Sequence, residues 1–416
     1  PEAGRRRIMH TPDRAMPQLS QELMLDSAAS AQQILSSRFG GPVLLGNGTS
    51  FKASGRSILF RFDVVDGPSA LPRSIIVKRA IGRDNERFDP SSSQGSAVAL
   101  FNDWAGLEFL GRLTGDPLLV PRCYGGDRNL GLFVMEDLGQ IPRLDQILLG
   151  NDATAADTAL IDMASVLARM HGLSASRRSD FVDLRDALGP RPDPLRPEQV
   201  CAGFKAILQR LANHFGVDLG AAVLSDVDRL TALFRDDHPY WTYTHRDPCP
   251  DNWMLADQGI RLIDFEYGAF GNSMLDGVFG RIHFPTCWCT NRIPEPVIGR
   301  MEQTYRNELV KHLPAAQDEA LYARTFVEAC ALHTLETLRQ YLTSKVRLWG
   351  IATMQQRAVL RTTLLAEMTE QHGHLGSLGH WCRMLGARIS QTNEGQRSAH
   401  IPYYPAFREQ ATSLRS

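Results

Sequence analysis

A chain of 416 residues, 43% hydrophobic and 22% charged, has globular composition and enough length for two or three domains or lobes with a large core. Its formal net charge of -1 argues against nucleic acid as a partner, because phosphate backbones select a basic surface. No apolar run approaches the roughly 18 residues of a membrane span, so no membrane partner is expected.

Residues 1–17 read as a loose arm. Arg5-Arg6-Arg7 is followed by no apolar segment of signal-peptide length, and the expected location is cytoplasmic. Residues 18–38 form an expected helix with Leu23, Ala28 or Ala29, Ile34 and Leu35 on its apolar face. From Gly40 to Pro72 the pattern turns to strands: Gly46-Asn47-Gly48 is a turn signal, and Ser57 to Val64 alternates. Ser74 to Lys78 is a second strand, and Gly82 to Gly95 a polar loop. Ala97 to Leu113 is an amphipathic helix with Leu100, Trp104, Leu107 and Leu110 on one stripe. After a strand from Leu130 to Met135 the chain is mostly helical, as in Ala155 to His171 and Glu319 to Leu342. Strand signals return between residues 241 and 270. Residues 390–396 read as a linker before an aromatic tail, Ile401 to Phe407. Seven scattered cysteines without a C-x-x-C pair read as free thiols of a reducing compartment. Cys287 and Cys289 are the one close couple, and His283 alone does not complete a zinc site. His372, His374 and His380 read as an exposed interhelical loop rather than a metal site.

The informative stretch is Tyr243-Thr244-His245-Arg246-Asp247-Pro248-Cys249-Pro250-Asp251-Asn252, which has the form H-R-D-x-x-x-x-N of a kinase catalytic loop. Trp241 to Thr244 feeds it as a strand. Trp253-Met254-Leu255 and Ile260-Arg261-Leu262-Ile263 make a hairpin that ends at Asp264-Phe265-Glu266. Phosphoryl transfer passes through a loose transition state, so a protein catalyses it by positioning and by neutralising charge. Asp247 is the candidate to orient an acceptor hydroxyl and take its proton. Asn252 and Asp264 offer the hard oxygens that Mg²⁺ requires.

This segment resembles the aminoglycoside phosphotransferase and choline kinase family, whose usual loop is H-G-D-x-x-x-x-N followed by I-D-F-[ED]; Arg246 stands where that family commonly has Gly. Val134-Met135-Glu136-Asp137-Leu138-Gly139 resembles the family's hinge, and Leu167-Ala168-Arg169-Met170-His171 its L-x-x-L-H helix end. The resemblance covers residues from about 40 to 290. It implies an α+β, bilobal, protein-kinase-like fold: a small β-rich N-lobe with one main helix, and a larger, mostly helical C-lobe. The corresponding division is an arm and helix over 1–38, a nucleotide-binding lobe over 39–135 and a catalytic, acceptor-binding lobe over 136–416, with the hinge near 134–139. It also implies ATP and Mg²⁺ as cofactors, and Asp276 with His245 as braces of the catalytic loop. By the same analogy Lys78 is the cationic handle on the nucleotide phosphates, with Met135, Glu136 and Leu138 at the adenine edge. Gly55 and Ser57 are the preferred phosphate-covering turn, and Gly46-Asn47-Gly48-Thr49 is the rival. The family's acid on the main helix is followed by apolar residues four and seven positions on. Asp103 meets that pattern through Leu107 and Leu110, whereas Glu108 is followed by Arg112 and Gly115, so Asp103 is the expected partner of Lys78.

Asp276 comes only twelve positions after Asp264, too few for the peptide-docking segment of a protein kinase, so a small-molecule hydroxyl acceptor is expected. An aminoglycoside-like antibiotic, an amino alcohol, a nucleoside and a sugar all remain open. His283 to Cys289 either lines the acceptor pocket or starts a core helix. The alternative function is a pseudokinase, a binding module without turnover, against which Lys78, Asp247, Asn252 and Asp264 stand together.

Overall fold

A computed structural model of the protein describes residues 16–53, 56–82, 88–115, 118–193, 196–392 and 400–408. It divides into two compact units. The first comprises Pro1–Leu100, Arg122–Asp137 and Leu188–Pro190. Here α1 (Met16–Phe39) precedes β1 (Leu44–Ala53), β2 (Ser57–Asp66) and β3 (Ser74–Ala80). The chain passes into the second unit within α2 (Gly95–Leu113), then returns for β4 (Cys123–Asp127) and β5 (Leu132–Glu136). The five strands form an antiparallel sheet in the order β1-β2-β3-β5-β4.

Alternation in β2 turns Ile58, Phe60 and Phe62 to one face, where they meet Ile75 and Val77 of β3, Leu132 and Val134 of β5, and Ala31 and Leu35 of α1. A strand buries every second residue and a helix every third or fourth, so the two periods meet in one apolar layer. One expected turn is absent. Gly46-Asn47-Gly48 lies inside β1, where the register with β2 slips between Gly46 and Thr49. Asn47 takes φ 48° there and its amide donates to Asp63 Oδ2 at 2.9 Å. A side chain on Gly48 would land 2.7 Å from the Phe62 ring. Asn-Gly signals a left-handed residue, and a bulge uses one as readily as a hairpin turn does.

The second unit comprises Phe101–Pro121, Leu138–Ala187 and Arg191–Ser416. It runs through α3 (Leu144–Leu148), α4 (Ala153–Ser174), α5 (Arg178–Leu188), α6 (Pro197–Phe215) and α7 (Ala221–Arg229). Four short strands follow: β6 (Trp241–Thr244), β7 (Trp253–Ala256), β8 (Gly259–Leu262) and β9 (Ala269–Asn272). Then come α8 (Met274–Gly277), α9 (Glu295–Val310) and α10 (Glu319–Thr343), a two-residue pair β10 (Leu348–Trp349) and β11 (Ala352–Thr353), α11 (Met354–His372) and α12 (Gly376–Ser390). Polar caps start α4, α10 and α11: Asp152 accepts from Ala155 N, Asp318 from Leu321 N, and Thr353 with Gln356 forms a capping box. The architecture is therefore α+β, a sheet unit followed by a mostly helical one.

Residues 283–289 are not a helix start. His283 and Phe284 both take positive φ, 54° and 52°, and the segment is buried irregular chain ahead of α9. His283 is a core histidine: its Nδ1 accepts from Ile293 N at 3.2 Å, and burial, with Arg292 and Arg361 adding to it, pushes its pKa down to about 3. The expected exposed histidine loop is only partly so, because His374 Nε2 is bonded to the buried Glu328 carboxylate at 2.9 Å. Leu118–Val120, apolar and strand-sized, is irregular, although Leu119 O accepts from Leu262 N at 2.9 Å.

Candidate active site

β6 pairs with β9 from Trp241↔Asn272 to Thr244↔Ala269, and β7 with β8 from Trp253↔Leu262 to Ala256↔Gly259. The loop from His245 to Asn252 leaves the first ladder and enters the second. The segment from Ile263 to Gly268 makes the return journey. Ile263 N donates to Asn252 O at 3.0 Å, which sets Asp264 one residue beyond a direct bond to Asn252. Beneath them lies an aromatic layer in which the Tyr243 ring packs on Phe109, Phe181, Phe265 and Phe270 at centroid distances between 4.8 and 6.1 Å.

The loop is tied down by its own polar groups. Asp276, fully buried, accepts from His245 N at 2.6 Å and from Arg246 N at 3.0 Å, one on each carboxylate oxygen. His171, at the end of α4, reaches the same carboxylate at 3.3 Å and holds Tyr305 Oη at 2.8 Å. Burial alone would raise the Asp276 pKa. The hydrogen bond and charge of His171, with His245 and its backbone N–H, outweigh that and hold the carboxyl below its ordinary range. His245 Nδ1 accepts from Asp247 N at 3.2 Å, so Nε2 carries the proton that is donated to Ile263 O at 2.9 Å. Asp103 is buried at the other end of this segment, its Oδ1 accepting from Phe265 N at 2.8 Å. Glu108 is engaged on its own helix, by Trp104 Nε1 at 3.2 Å and by Arg112.

Two residues hold left-handed backbone: Arg246 at φ 68° and Asp264 at φ 70°. The first explains why a glycine commonly fills the Arg246 position in the resembling family, since glycine takes that conformation without steric cost. Here the cost is met locally, the Arg246 guanidinium donating to Phe270 O at 3.0 Å.

Asp247 is half-buried. Its Oδ1 accepts from Thr286 Oγ1 at 2.5 Å and from Cys249 Sγ at 3.0 Å, while its backbone oxygen accepts from Asn252 Nδ2 at 2.9 Å. Among the described residues Oδ2 has no hydrogen bond. Because Asn252 spends its amide nitrogen on the loop, its oxygen is the end offered outward, and that is the end a cation would take. Asp251 is pushed above the usual carboxylate range, by burial first and then by the neighbouring Asp145 and Asp247 charges. Thr286 and Cys249 were outside the sequence-expected set. Thr286 comes 39 positions after Asp247 with no periodic pattern linking them.

In the sheet unit Lys78 is buried in the central β3, across from Leu59 of β2 and Phe133 of β5. Met135 and Glu136 end β5, with Glu136 Oε2 accepting from Arg122 N at 3.0 Å. Leu138 follows the last residue of that unit, Asp137, whose carboxylate is held by Arg61 and Ser74 at 2.8 and 2.7 Å. Ser57 opens β2; Gly55 lies outside the described residues. A cavity of about 680 Å³ among α9, α10 and α11, lined by Arg281, Glu302, Arg306, Tyr322 and His372, contains no residue of the catalytic loop. Among the described residues no helix is long and apolar enough to cross a membrane.

The fold also resembles solved structures. One is the macrolide 2'-phosphotransferase MphH from Brachybacterium faecium: 16% identity, 82% of this chain and 98% of that one covered, TM-score 0.44. Another is choline kinase from Cryptosporidium parvum Iowa II: 12% identity, 90% and 94% covered, TM-score 0.41. No curated protein matches the sequence. The model of the phosphotransferase enzyme family does match, over residues 105–286. That span holds the braced loop, Asn252, Asp264 and Asp276, and over it the chain is similar to the phosphotransferase enzyme family.

Proposed function

We propose that this protein is a phosphotransferase that moves the γ-phosphate of ATP to a hydroxyl group of a small molecule, with Asp247 as the residue that receives the hydroxyl proton. The observation that carries the proposal is the unequal state of the two Asp247 oxygens. Oδ1 is fixed by Thr286 and Cys249, and Oδ2 has no partner among the described residues. A carboxylate locked on one side and open on the other has a single direction in which to accept a proton, which is what positioned base catalysis needs.

Mg²⁺ fits the donor set. The Asn252 side-chain oxygen and the Asp264 carboxylate are hard oxygens on adjoining loops. Bound there with nucleotide, the ion neutralises phosphate charge. The protein's own contribution is the brace: Asp276 and His245 hold the backbone before and after Arg246, so that Asp247 and Asn252 keep their spacing. Lys78, with Asp103, Ser57, Met135, Glu136 and Leu138, completes the nucleotide-binding set; Gly55 belongs to it on the sequence pattern alone. The turn from Phe265 to Gly268 leads directly into β9, which supports a small acceptor over a peptide.

Asp247→Ala tests the reading. In an ATP-consumption screen against aminoglycosides, amino alcohols, nucleosides and sugars, wild-type protein turns over at least one class. The variant loses about 10²-fold or more of that rate while still binding ATP. Retention of near-wild-type turnover by Asp247→Ala would remove Asp247 from the chemistry. A wild type that binds ATP and phosphorylates nothing in the screen would favour the pseudokinase alternative.

A further inference from the structure

Two stretches far apart in sequence bring cysteines together beside the catalytic loop. Cys249 Sγ, a carboxylate oxygen of Asp251 and Cys287 Sγ all lie within 4.8 Å of one another. Cys289 Sγ stands 2.9 Å from Cys287 Sγ, and the three sulfurs are buried, none more than 2% exposed. The second observation is one of charge. Arg357 and Arg361 of α11 are each 1% exposed, and among the described residues neither meets a carboxylate. Arg357 spends its terminal nitrogens on Thr290 Oγ1 and on the carbonyls of Pro285, Cys287 and Trp349, at 2.8 to 3.4 Å. Its Nε, and Nη2 of Arg361, have no partner. Buried cations without a counter-charge are costly, and Cys249 and Cys287 are near enough to both to act on them electrostatically.

We propose that Cys249, Asp251 and Cys287, with Cys289 as the fourth ligand, form a zinc site that clamps the catalytic loop to the 283–289 segment. Zinc at about 2.3 Å from sulfur and 2.0–2.2 Å from oxygen requires tetrahedral ligand atoms about 3.8 Å apart; those of Cys249, Asp251 and Cys287 lie within 4.8 Å of one another, and Cys289 Sγ is 2.9 Å from Cys287 Sγ. Two thiolates and a carboxylate suit zinc over magnesium or calcium, which prefer all-oxygen sets. Three thiolates and one carboxylate around Zn²⁺ sum to -2, equal and opposite to Arg357 and Arg361. Without the ion, burial keeps Cys249 a thiol, its pKa pushed up to about 11. Binding therefore releases the thiol protons to solvent as the Zn–S bonds form, so that Cys249 no longer donates to Asp247 and Thr286 alone holds Asp247 Oδ1. Cys249 and Asp251 lie between Asp247 and Asn252, so the ion would tie down the part of the loop that Asp276 does not reach.

The inference does not depend on phosphoryl transfer, and its test reads metal directly. Tag-free full-length protein, purified under reducing conditions from zinc-supplemented cells, is expected to carry about one equivalent of zinc per chain by elemental analysis. Cys249→Ser and Cys287→Ser should each lose it, and Cys330→Ser, a buried cysteine of α10, should keep it. Adding Zn²⁺ to chelator-stripped wild type should raise its melting temperature; stripped Cys330→Ser should respond equally, and the two cluster variants should not. Replacement with Co²⁺ should give thiolate-to-cobalt charge-transfer absorption. Protein that is metal-free as purified and unmoved by Zn²⁺ overturns the site. So does a two-dalton mass deficit mapping to a Cys287–Cys289 disulfide, or zinc that survives both cluster substitutions.

Discussion

At the scale of single residues, Asp276 and Thr286 separate two ways of fixing a loop. Asp276 uses both carboxylate oxygens, each on a backbone N–H, so Asp276→Asn presents an amide nitrogen to one of those donors. Such an exchange in a fully buried site should cost about 3 kcal/mol, read as a fall in melting temperature against wild type at neutral pH. The sign of its pH dependence follows from the lowered pKa of Asp276. A depressed folded-state pKa contributes stability that is complete above the unfolded value of about 3.9 and is lost as pH falls through the folded value. The stability difference between wild type and Asp276→Asn should therefore hold from neutrality to about pH 4 and shrink below it. Thr286 acts on Asp247, the proposed catalytic side chain. Thr286→Val should lower kcat about 10-fold by loosening Asp247 with the KM for nucleotide unchanged, and Thr286→Ser should restore the rate. If Ser rescues nothing, the hydroxyl is not what positions Asp247. The Asp247–Asn252 run was legible because it is contiguous and its spacing is imposed by one loop. Thr286 was not, because a hydrogen bond between distant segments leaves no periodic trace.

At the scale of elements, β6 and α2 meet without a spacer. A side chain on Gly106 of α2 would land 2.2 Å from Tyr243 Oη and 2.9 Å from Phe265 Cβ, and one on Gly268 would land 2.1 Å from the same phenol oxygen. Gly106→Ala should push the helix off the aromatic layer, costing about 1–3 kcal/mol and disturbing Phe265, the residue that follows Asp264. Tyr243 Oη is itself buried with no hydrogen-bond partner. Tyr243→Phe should therefore be neutral or stabilising by up to about 1 kcal/mol, and the double variant should be less damaged than Gly106→Ala alone. Thermal melts of the three variants check both statements. Elements with a strong local pattern were readable in advance: the alternation of β2, the stripe of α2, the β7–β8 hairpin. β4 was not, because Cys-Tyr-Gly-Gly-Asp carries no alternation and is a strand only through its ladder with β5. The Asn47-Gly48 turn was misplaced for a related reason. The dipeptide encodes a backbone conformation, and strand pairing decides whether that becomes a turn or a bulge.

At the scale of the molecule, the far end of the described chain closes the core of the helical unit. Ile401, Tyr404 and Phe407 are buried, Tyr404 N and Pro402 O bond to Arg292 on either side, and the Arg292 guanidinium sits 4.7 Å from the Tyr403 ring. Ending the chain after Gln391 should remove three large buried side chains from the core and cost about 5 kcal/mol at roughly 1.5–3 kcal/mol each, measured as a lowered denaturation midpoint. An unchanged midpoint would mean that the tail does not pack in solution. The sequence by itself determined the α+β order of elements and the H-R-D-x-x-x-x-N run with the hairpin that follows it, because each is written in contiguous residues and short-range periodicity. The left-handed Arg246, the hold of Thr286 on Asp247, the brace from His171 through Asp276 and the gathering of Cys249, Asp251 and Cys287 were decided only by tertiary structure. Those contacts join segments tens of residues apart, and what brings them together is the burial of the whole core rather than any preference of the residues themselves.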